Sequence, residues 1–338
     1  MAVTIKDVAK LAGVSISTVS RVINKSKPVS SEVKAKVLEA IDELGYKPNE
    51  VARSLVTRRS NLIGVVATDI GRSYIAQNVR GIEEVARMYN YDIILSNSYG
   101  DPRTEKKFAG LLRSKQVEGI VLISEIPNDE VIEYIGDFGI PFMYLNKYYI
   151  SSGLPSVSID HREAGYRMTN YLIELGHRNI LYLTSYEGRD SSLERYKVEG
   201  YERAMDNVIG ARKQVYPAQG FRVEHGYAIG DEVRKLIEED DITAIFCCHD
   251  ELALGLMGYC YDNGIKIPED ISICGYGDTK MASIYRPQLT TIREPYYDMG
   301  AVAIRRIIKY LNDGELEEGN TYLPIQLMKR QSCSSNCR

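Results

Sequence analysis

Residues 3–24 read VTIKDVAKLAGVSISTVSRVIN, and this stretch decides how the chain is organised. Its first half predicts a helix, because apolar residues recur there near helical spacing: Ile5, Val8, Ala9 and Leu11. Thr4 precedes these residues, and threonine is one of the residue types that cap helix N-termini. Gly13 interrupts the pattern, and a left-handed conformation at glycine turns a chain sharply. The stretch therefore predicts a helix, a tight turn and a second helix.

The second helix is predicted to begin after Ser15 and to have two different faces. Its buried stripe is formed by Val19, Val22 and Ile23. Its outward face is formed by Ile16, Ser17, Ser20 and Arg21. Short polar side chains together with one arginine are the types that read base edges in the major groove. The two helices therefore predict a helix-turn-helix that binds DNA.

The region up to residue 60 is completed by a third helix and a hinge. Ser31 is expected to cap the third helix and Gly45 to stop it, with an inner face formed by Val33, Val37, Leu38, Ile41 and Leu44. Residues 49–55, NEVARSL, can form about one and a half helical turns, too few to be stable alone. We therefore assign residues 1–48 to a DNA-binding domain and 49–60 to a hinge helix and linker.

From residue 62 onward, short apolar strands alternate with amphipathic helices in two successive series. Such alternation is typical of α/β proteins with doubly wound parallel sheets. We expect an N-terminal core subdomain over 61–160 plus about 293–322, a C-terminal core subdomain over 161–292 plus about 323–331, and a flexible tail over 332–338. A ligand would bind in the cleft between the two subdomains.

Charge and composition narrow the possible functions. Residues 1–60 carry a net charge of +5 and the remainder −9, which suits a nucleic-acid-binding head on an acidic body. No apolar run is long enough to span a membrane, and no apolar signal core precedes the first helix. We therefore expect a cytoplasmic protein rather than a solute-binding protein that serves transport. The six cysteines are expected to be reduced, without a metal site. We found no nucleophile elbow, phosphate loop or cofactor motif, so no enzyme and no cofactor is expected.

These segments resemble the lac repressor family of bacterial transcription regulators. The head matches that family's pattern in TIKDVA at 4–9, in the core from Val14 to Val22, and in VARSL at 51–55. The body resembles the family's periplasmic-binding-protein-like domain, with matching segments at 62–66, 119–121, 175–180, 250–255 and 286–291. The resemblance implies a repressor-type regulator that binds pseudo-palindromic operators as a homodimer and is controlled through its body.

The resemblance also implies the DNA contacts. Arg21 would contact a guanine, and Ile16 and Ser17 would occupy the variable reading positions. Further contacts, partly to phosphate, would come from Thr4, Ser15, Thr18, Ser20, Asn24, Asn49, Ala52 and Arg53. Leu55 would enter the minor groove as a wedge at a central base step; alternatively, it packs on the body as a linker residue.

For the cleft, ten residues are candidates for contact with an effector: Asp69, Ser73, Tyr74, Asn97, Lys147, Asp160, Arg189, Lys197, Asp250 and Asp278. Asp160 and Asp250 also fit as helix caps. Sugar-binding members of the family use an arginine where this chain has Lys197, and an aspartate where it has Gly277. Asp278 lies one place later, which weakens the case for an ordinary sugar.

Besides a small molecule in the cleft, a protein partner could control DNA binding through the body. Segments 84–98 and 297–305 are similar to the branch of the family that controls carbon catabolism after docking the serine-phosphorylated phosphocarrier protein HPr. In that branch Tyr297 and Arg305 would contact the partner, with Arg305 receiving the phosphoserine. Alternatively, Arg305 and Arg306 form a solvated helix face. The competing function is an operon-specific repressor that responds to a sugar or sugar phosphate.

Overall fold

A computed structural model describes residues 3–24, 27–46, 59–124, 128–145, 155–186, 192–314 and 319–336. The chain divides into two compact units, residues 1–60 and 61–338, which we call the head and the body. Asn49, Ala52, Arg53 and Leu55 of the predicted hinge lie outside the described residues, as do Lys147 and Arg189 of the predicted cleft. No described helix combines the length and apolarity needed to cross a membrane.

The described residues of the head form the three predicted helices, α1 (Ile5–Ala12), α2 (Ile16–Asn24) and α3 (Ser31–Leu44). Its core is formed by Val8, Val19 and Val37, which are fully buried, with Ala40 and Val22 beside them. Gly13 adopts φ +64 at the end of α1, so the left-handed turn predicted there is confirmed.

Two details of α3 differ from the prediction. The N-cap is Ser30 rather than Ser31, because the Ser30 hydroxyl accepts the hydrogen bond from the Val33 amide. Leu38 is half exposed and does not belong to the inner face. Ala40 takes an inner position that the pattern of large apolar residues did not reveal.

The body contains two six-stranded sheets. The first sheet consists of β1 (Leu62–Ala67), β2 (Asp92–Asn97), β3 (Gly119–Ile123), β4 (Phe142–Leu145), β5 (Ser156–Ser158) and β11 (Asn320–Tyr322). These strands are all parallel and have the spatial order β11-β5-β4-β3-β1-β2. We call the part of the body around this sheet the N-terminal subdomain.

The second sheet consists of β6 (Asn179–Ser185), β7 (Arg212–Ala218), β8 (Ala244–Cys247), β9 (Ser272–Gly277), β10 (Thr290–Arg293) and β12 (Gln326–Met328). Its spatial order is β12-β10-β9-β8-β6-β7; β12 is antiparallel to its neighbour β10, and the other described pairs are parallel. We call the surrounding part the C-terminal subdomain. The predicted α/β class, with a helical head followed in sequence by two parallel-sheet subdomains, is confirmed.

Helices flank both sheets of the body. They are α4 (Ser73–Met88), α5 (Pro102–Ser114), α6 (Asp129–Gly136), α7 (His161–Glu174), α8 (Ser192–Met205), α9 (Val223–Ala228), α10 (Gly230–Asp240), α11 (Asp250–Asp262), α12 (Lys280–Ile284) and α13 (Tyr296–Asp313). The sequence predicts one helix over 223–239, but the structure has α9 and α10 there, separated at Ile229.

The prediction of a flexible tail from residue 332 is wrong for the described residues. Ser332 is fully buried, accepts a hydrogen bond from the Thr290 amide at 2.8 Å and donates one to the Ile273 carbonyl at 2.5 Å. Cys333 is buried beside it, and the Asn336 amide donates to the Leu175 carbonyl at 2.7 Å. The segment is polar in sequence, but its polar groups pair with backbone groups beside β9 and β10, which fixes it to the second sheet.

Candidate functional site

The outward face of α2 is the candidate nucleic-acid interface of the head. Ile16 exposes 45% of its surface, and Ser17 and Arg21 are exposed as well. Val19 and Val22 bury the opposite face of the same helix in the head core. Contact with a thymine methyl group would bury the Ile16 side chain.

Several other predicted contact residues take part in hydrogen bonds within the head. The Ser15 hydroxyl accepts from the Thr18 amide at 3.2 Å and so caps α2. The Asn24 side chain donates to the Ser20 hydroxyl at 3.1 Å. Thr4 donates from its amide and its hydroxyl to Asp7, which lowers the pKa of that carboxyl. These residues stabilise the ends of helices. Ser17 also pairs with Ser15, at 2.8 Å between their hydroxyls, but it is exposed on the outward face of α2 with Ile16 and Arg21, and these three remain the candidates to read bases.

The body contains a cavity of about 400 Å³ at the carboxyl ends of strands from both sheets. This is where open α/β folds place their ligands. Of the predicted effector residues, four line this cavity: Asp69, Ser73, Tyr74 and Asp250. The rest of its lining consists of Gly71, Arg72, Tyr99, Phe221, Arg222, His249, Glu251, Tyr276, Gly277, Thr279 and Tyr296.

Lys197, another predicted effector residue, does not line the cavity. Its side chain is 5% exposed, and Nζ donates to the Cys248 carbonyl at 3.1 Å. Nζ also lies 3.5 Å from the Glu194 carboxylate and 4.1 Å from the centre of the Tyr276 ring. Lys197 is thus a buried structural lysine beneath the cavity.

Asp278 does not replace the carboxylate that Gly277 lacks. Its carboxylate lies 2.5 Å from Arg293 and 2.5 Å from Arg330, and its side chain is 6% exposed. Both arginines belong to the second sheet and its continuation, so they hold Asp278 away from the cavity lining. The structure thus does not bring Asp278 together with the predicted effector residues that line the cavity.

Asp160 and Asn97 also lie outside the cavity lining. The Asp160 carboxylate accepts from the Glu163 amide at 3.0 Å and caps α7, so the alternative assignment as a helix cap is confirmed. The Asn97 side chain accepts from the Ile70 amide at 3.2 Å, which orders the loop after β1. Both residues therefore stabilise segments near the cavity but do not line it.

Asp250 lines the cavity and is not the cap of α11, because that position belongs to His249. Its carboxylate accepts from the Thr279 amide and from the Thr291 hydroxyl, each at 2.6 Å. Burial raises the pKa of Asp250 to about 6, against the opposing effect of these hydrogen bonds. Asp250 therefore ties the first turn of α11 to β10 and to the loop after β9.

The sequence pattern did not reveal the arginines and most aromatic residues of the cavity. Arg72 precedes α4 and lies over the Phe221 ring, with 4.4 Å between its guanidinium carbon and the ring centre. The His249 ring is 5.0 Å from the Phe221 ring, and burial lowers the pKa of His249 well below its usual value. These residues come from three loops distant in sequence, and no local motif signals that they meet.

On the N-terminal subdomain, α13 carries the predicted partner residues. The Tyr297 hydroxyl donates to Glu84 of α4 at 2.8 Å, so Tyr297 is fixed against the neighbouring helix. Arg305 is exposed, and no described residue pairs with it. Arg306 is 7% exposed and donates to the Ser156 carbonyl, so the interpretation of both arginines as a solvated face is wrong for Arg306.

Comparison with known proteins connects these features. Residues 4–49 match the family model "Bacterial regulatory proteins, lacI family", and residues 169–333 match "Periplasmic binding protein-like domain". The chain is 39% identical to HTH-type transcriptional regulator RegA of Clostridium saccharobutylicum and 38% identical to catabolite control protein A of Priestia megaterium, covering 98% of this chain and 99% of each relative. A structure of the lac repressor dimer bound to operator and the anti-inducer ONPF aligns with a TM-score of 0.88 at 28% identity, covering 99% of this chain and 100% of that one.

Proposed function

Because the chain belongs to the lacI family of bacterial regulatory proteins and is a DNA-binding transcriptional regulator rather than an enzyme, we propose that it controls genes of carbon metabolism. In this proposal a homodimer binds pseudo-palindromic operators in the cytoplasm, and the body adjusts its affinity for DNA. The exposed reading face of α2, formed by Ile16, Ser17 and Arg21, is the observation that carries the proposal. Two such faces on a symmetric dimer match the two half-sites of a palindrome.

We propose that residues 49–60 connect the head to the body as a hinge helix and linker, with Leu55 as a minor-groove wedge. A wedge partly unstacks one base step, and the added contacts of the bent DNA offset that cost. Contacts from Asn49, Ala52 and Arg53 would accompany it.

Leu55→Ala is expected to weaken operator binding without unfolding the body, because the apolar side chain that enters the base step is removed. Titration of a labelled operator at fixed salt measures the loss, and the urea midpoint of the body provides the folding control. Operator affinity equal to that of the unsubstituted protein would show that Leu55 is not a wedge.

We propose serine-phosphorylated HPr as the protein that controls DNA affinity. The exposed guanidinium of Arg305 is not engaged by any described residue and is available for a phosphoserine. Arginine binds phosphate through paired, charge-assisted hydrogen bonds. Tyr297 lies on the same helix as Arg305 and is held by Glu84 of the neighbouring α4, so it would form a fixed edge of the docking surface.

Arg305→Glu is expected to weaken binding of serine-phosphorylated HPr by about 10- to 100-fold, the equivalent of one lost charge-assisted contact. Calorimetry with phosphorylated and unphosphorylated HPr measures this effect, and operator titration in the presence of each form tests the coupling to DNA. Arg234→Glu is a matched control, because Arg234 is an exposed arginine on α10 of the C-terminal subdomain.

The second candidate function is an operon-specific repressor that responds to a sugar or sugar phosphate. The cavity of about 400 Å³ with its mixed polar and aromatic lining favours it. If neither form of HPr binds, and a sugar or sugar phosphate shifts operator affinity, this second function replaces the first. Gly277 and the engaged Asp278 count against an ordinary sugar, because no carboxylate is presented where sugar-binding relatives are expected to have one.

A further inference from the structure

Two side chains of the N-terminal subdomain and two of the C-terminal subdomain meet at the cavity. Arg72 and Asp69 follow β1 of the first sheet, whereas Phe221 and Arg222 follow β7 of the second sheet. The Arg72 guanidinium carbon lies 4.4 Å from the centre of the Phe221 ring. The Asp69 carboxylate lies 3.9 Å from Arg72 and 3.8 Å from Arg222. The four side chains thus form two bridges between the subdomains.

We propose that Arg72, Asp69, Phe221 and Arg222 form a latch that keeps the cleft closed without an effector. The proposal deepens the function proposed above, because a cleft that closes on its own side chains leaves regulation to a partner that docks elsewhere on the body. Closure of two subdomains around a cleft is a common two-state element in proteins of this architecture.

The stacking of Arg72 on Phe221 is the central contact of the latch. The Phe221 ring also contacts the His249 ring, at 5.0 Å between ring centres. The ring therefore contacts an arginine of the N-terminal subdomain and a histidine of its own subdomain. A cation over an aromatic face is attracted by the ring quadrupole, and the attraction is stronger where water is partly excluded. The Arg72 side chain is 26% exposed, so it is partly screened from solvent.

The electrostatics of α11 are consistent with the same arrangement. Burial raises the pKa of Glu251, and the guanidiniums of Arg222 and Arg72 act in the opposite direction. Arg72 of the N-terminal subdomain is therefore close enough to interact electrostatically with Glu251 of the C-terminal subdomain. A ligand that enters the cavity would have to displace Arg72 from Phe221 or fit around the pair.

The chain contains no tryptophan, so F221W introduces a single tryptophan into the latch, whose indole can be excited selectively over the tyrosines. Indole is the best cation–π partner, which preserves the contact with Arg72. In the full-length protein, we expect the F221W/R72A double variant to be quenched more strongly by acrylamide than F221W alone. Loss of one cation–π contact corresponds to about a 2- to 30-fold increase in the ratio of open to closed molecules.

F221W/R80A is the matched control, because Arg80 is an exposed arginine on α4 that pairs with Glu84 at 2.8 Å. Its quenching constant should equal that of F221W. Equal quenching of F221W/R72A and F221W/R80A would overturn the latch. If F221W does not fold, X-ray scattering of R72A provides the test: a larger radius of gyration than that of R80A supports the latch, and an equal one overturns it. Neither measurement uses HPr or operator DNA, so failure of the latch is separable from failure of the proposed function.

Discussion

Arg21→Ala is expected to remove discrimination at one base pair in each half-site of the operator. A bidentate contact from arginine to guanine contributes about 1–3 kcal/mol of discrimination against the wrong base. In a symmetric dimer the contact occurs twice, so the preference for the correct palindrome falls by about 2–6 kcal/mol. Arg21 can make this contact because it is exposed on α2, whose opposite face is fixed by Val19 and Val22 in the head core.

The measurement is a titration of operators that carry each of the four base pairs at every symmetric position, at one fixed salt concentration. The expected pattern is a loss confined to one position per half-site. An equal loss for all sequences, with a smaller dependence on salt, would make Arg21 a phosphate contact only. Lys36→Ala is the matched control, because Lys36 is a cation of the same head that pairs with Glu32 at 2.8 Å on α3.

The sequence was most informative where local patterns determine structure. The three helices of the head and the alternation of strands and helices in the body follow from apolar spacing and helix-terminating residues. The strand β7 could not be recognised in this way, because its sequence RKQVYPA lies at the sheet edge with its first two residues exposed and lacks a regular apolar alternation. The tail from Ser332 was also missed, since polar residues that pair with backbone in a sheet resemble a solvated segment.

The cavity was predicted only in part, for a physical reason. Residues in the loop after a strand or at the start of the next helix, such as Asp69 and Tyr74, can be placed from the alternation alone. The orientation of Asp278 depends on Arg293 and Arg330, which only the order of strands in the second sheet brings beside it. Lys197 pairs with Glu194 three residues earlier on α8, but no local pattern indicates that both side chains are buried. Such buried charge pairs decide which side chains remain available to a ligand.

Lys197→Met is expected to lower the free energy of unfolding of the body by about 3–5 kcal/mol, the usual cost of removing one partner of a buried ion pair. Methionine fills a similar volume, but it removes the cation beside the buried Glu194 carboxylate, which still accepts from the hydroxyls of Tyr182 at 2.9 Å and Thr184 at 2.7 Å. Urea unfolding followed by circular dichroism measures the change. If Lys197 acted only as an effector contact, the substitution would leave the midpoint nearly unchanged.

Two further variants separate the lost ion pair from other effects of the substitution. Arg195→Met removes a 65% exposed arginine from the same helix, and its pair with Glu199 at 3.7 Å should contribute about 0–1 kcal/mol. The double variant Glu194→Gln with Lys197→Met removes both charges, so it should recover part of the stability that Lys197→Met loses. A double variant as unstable as the sum of its two single variants would indicate that Lys197 acts through Tyr276 and the Cys248 carbonyl instead of through Glu194.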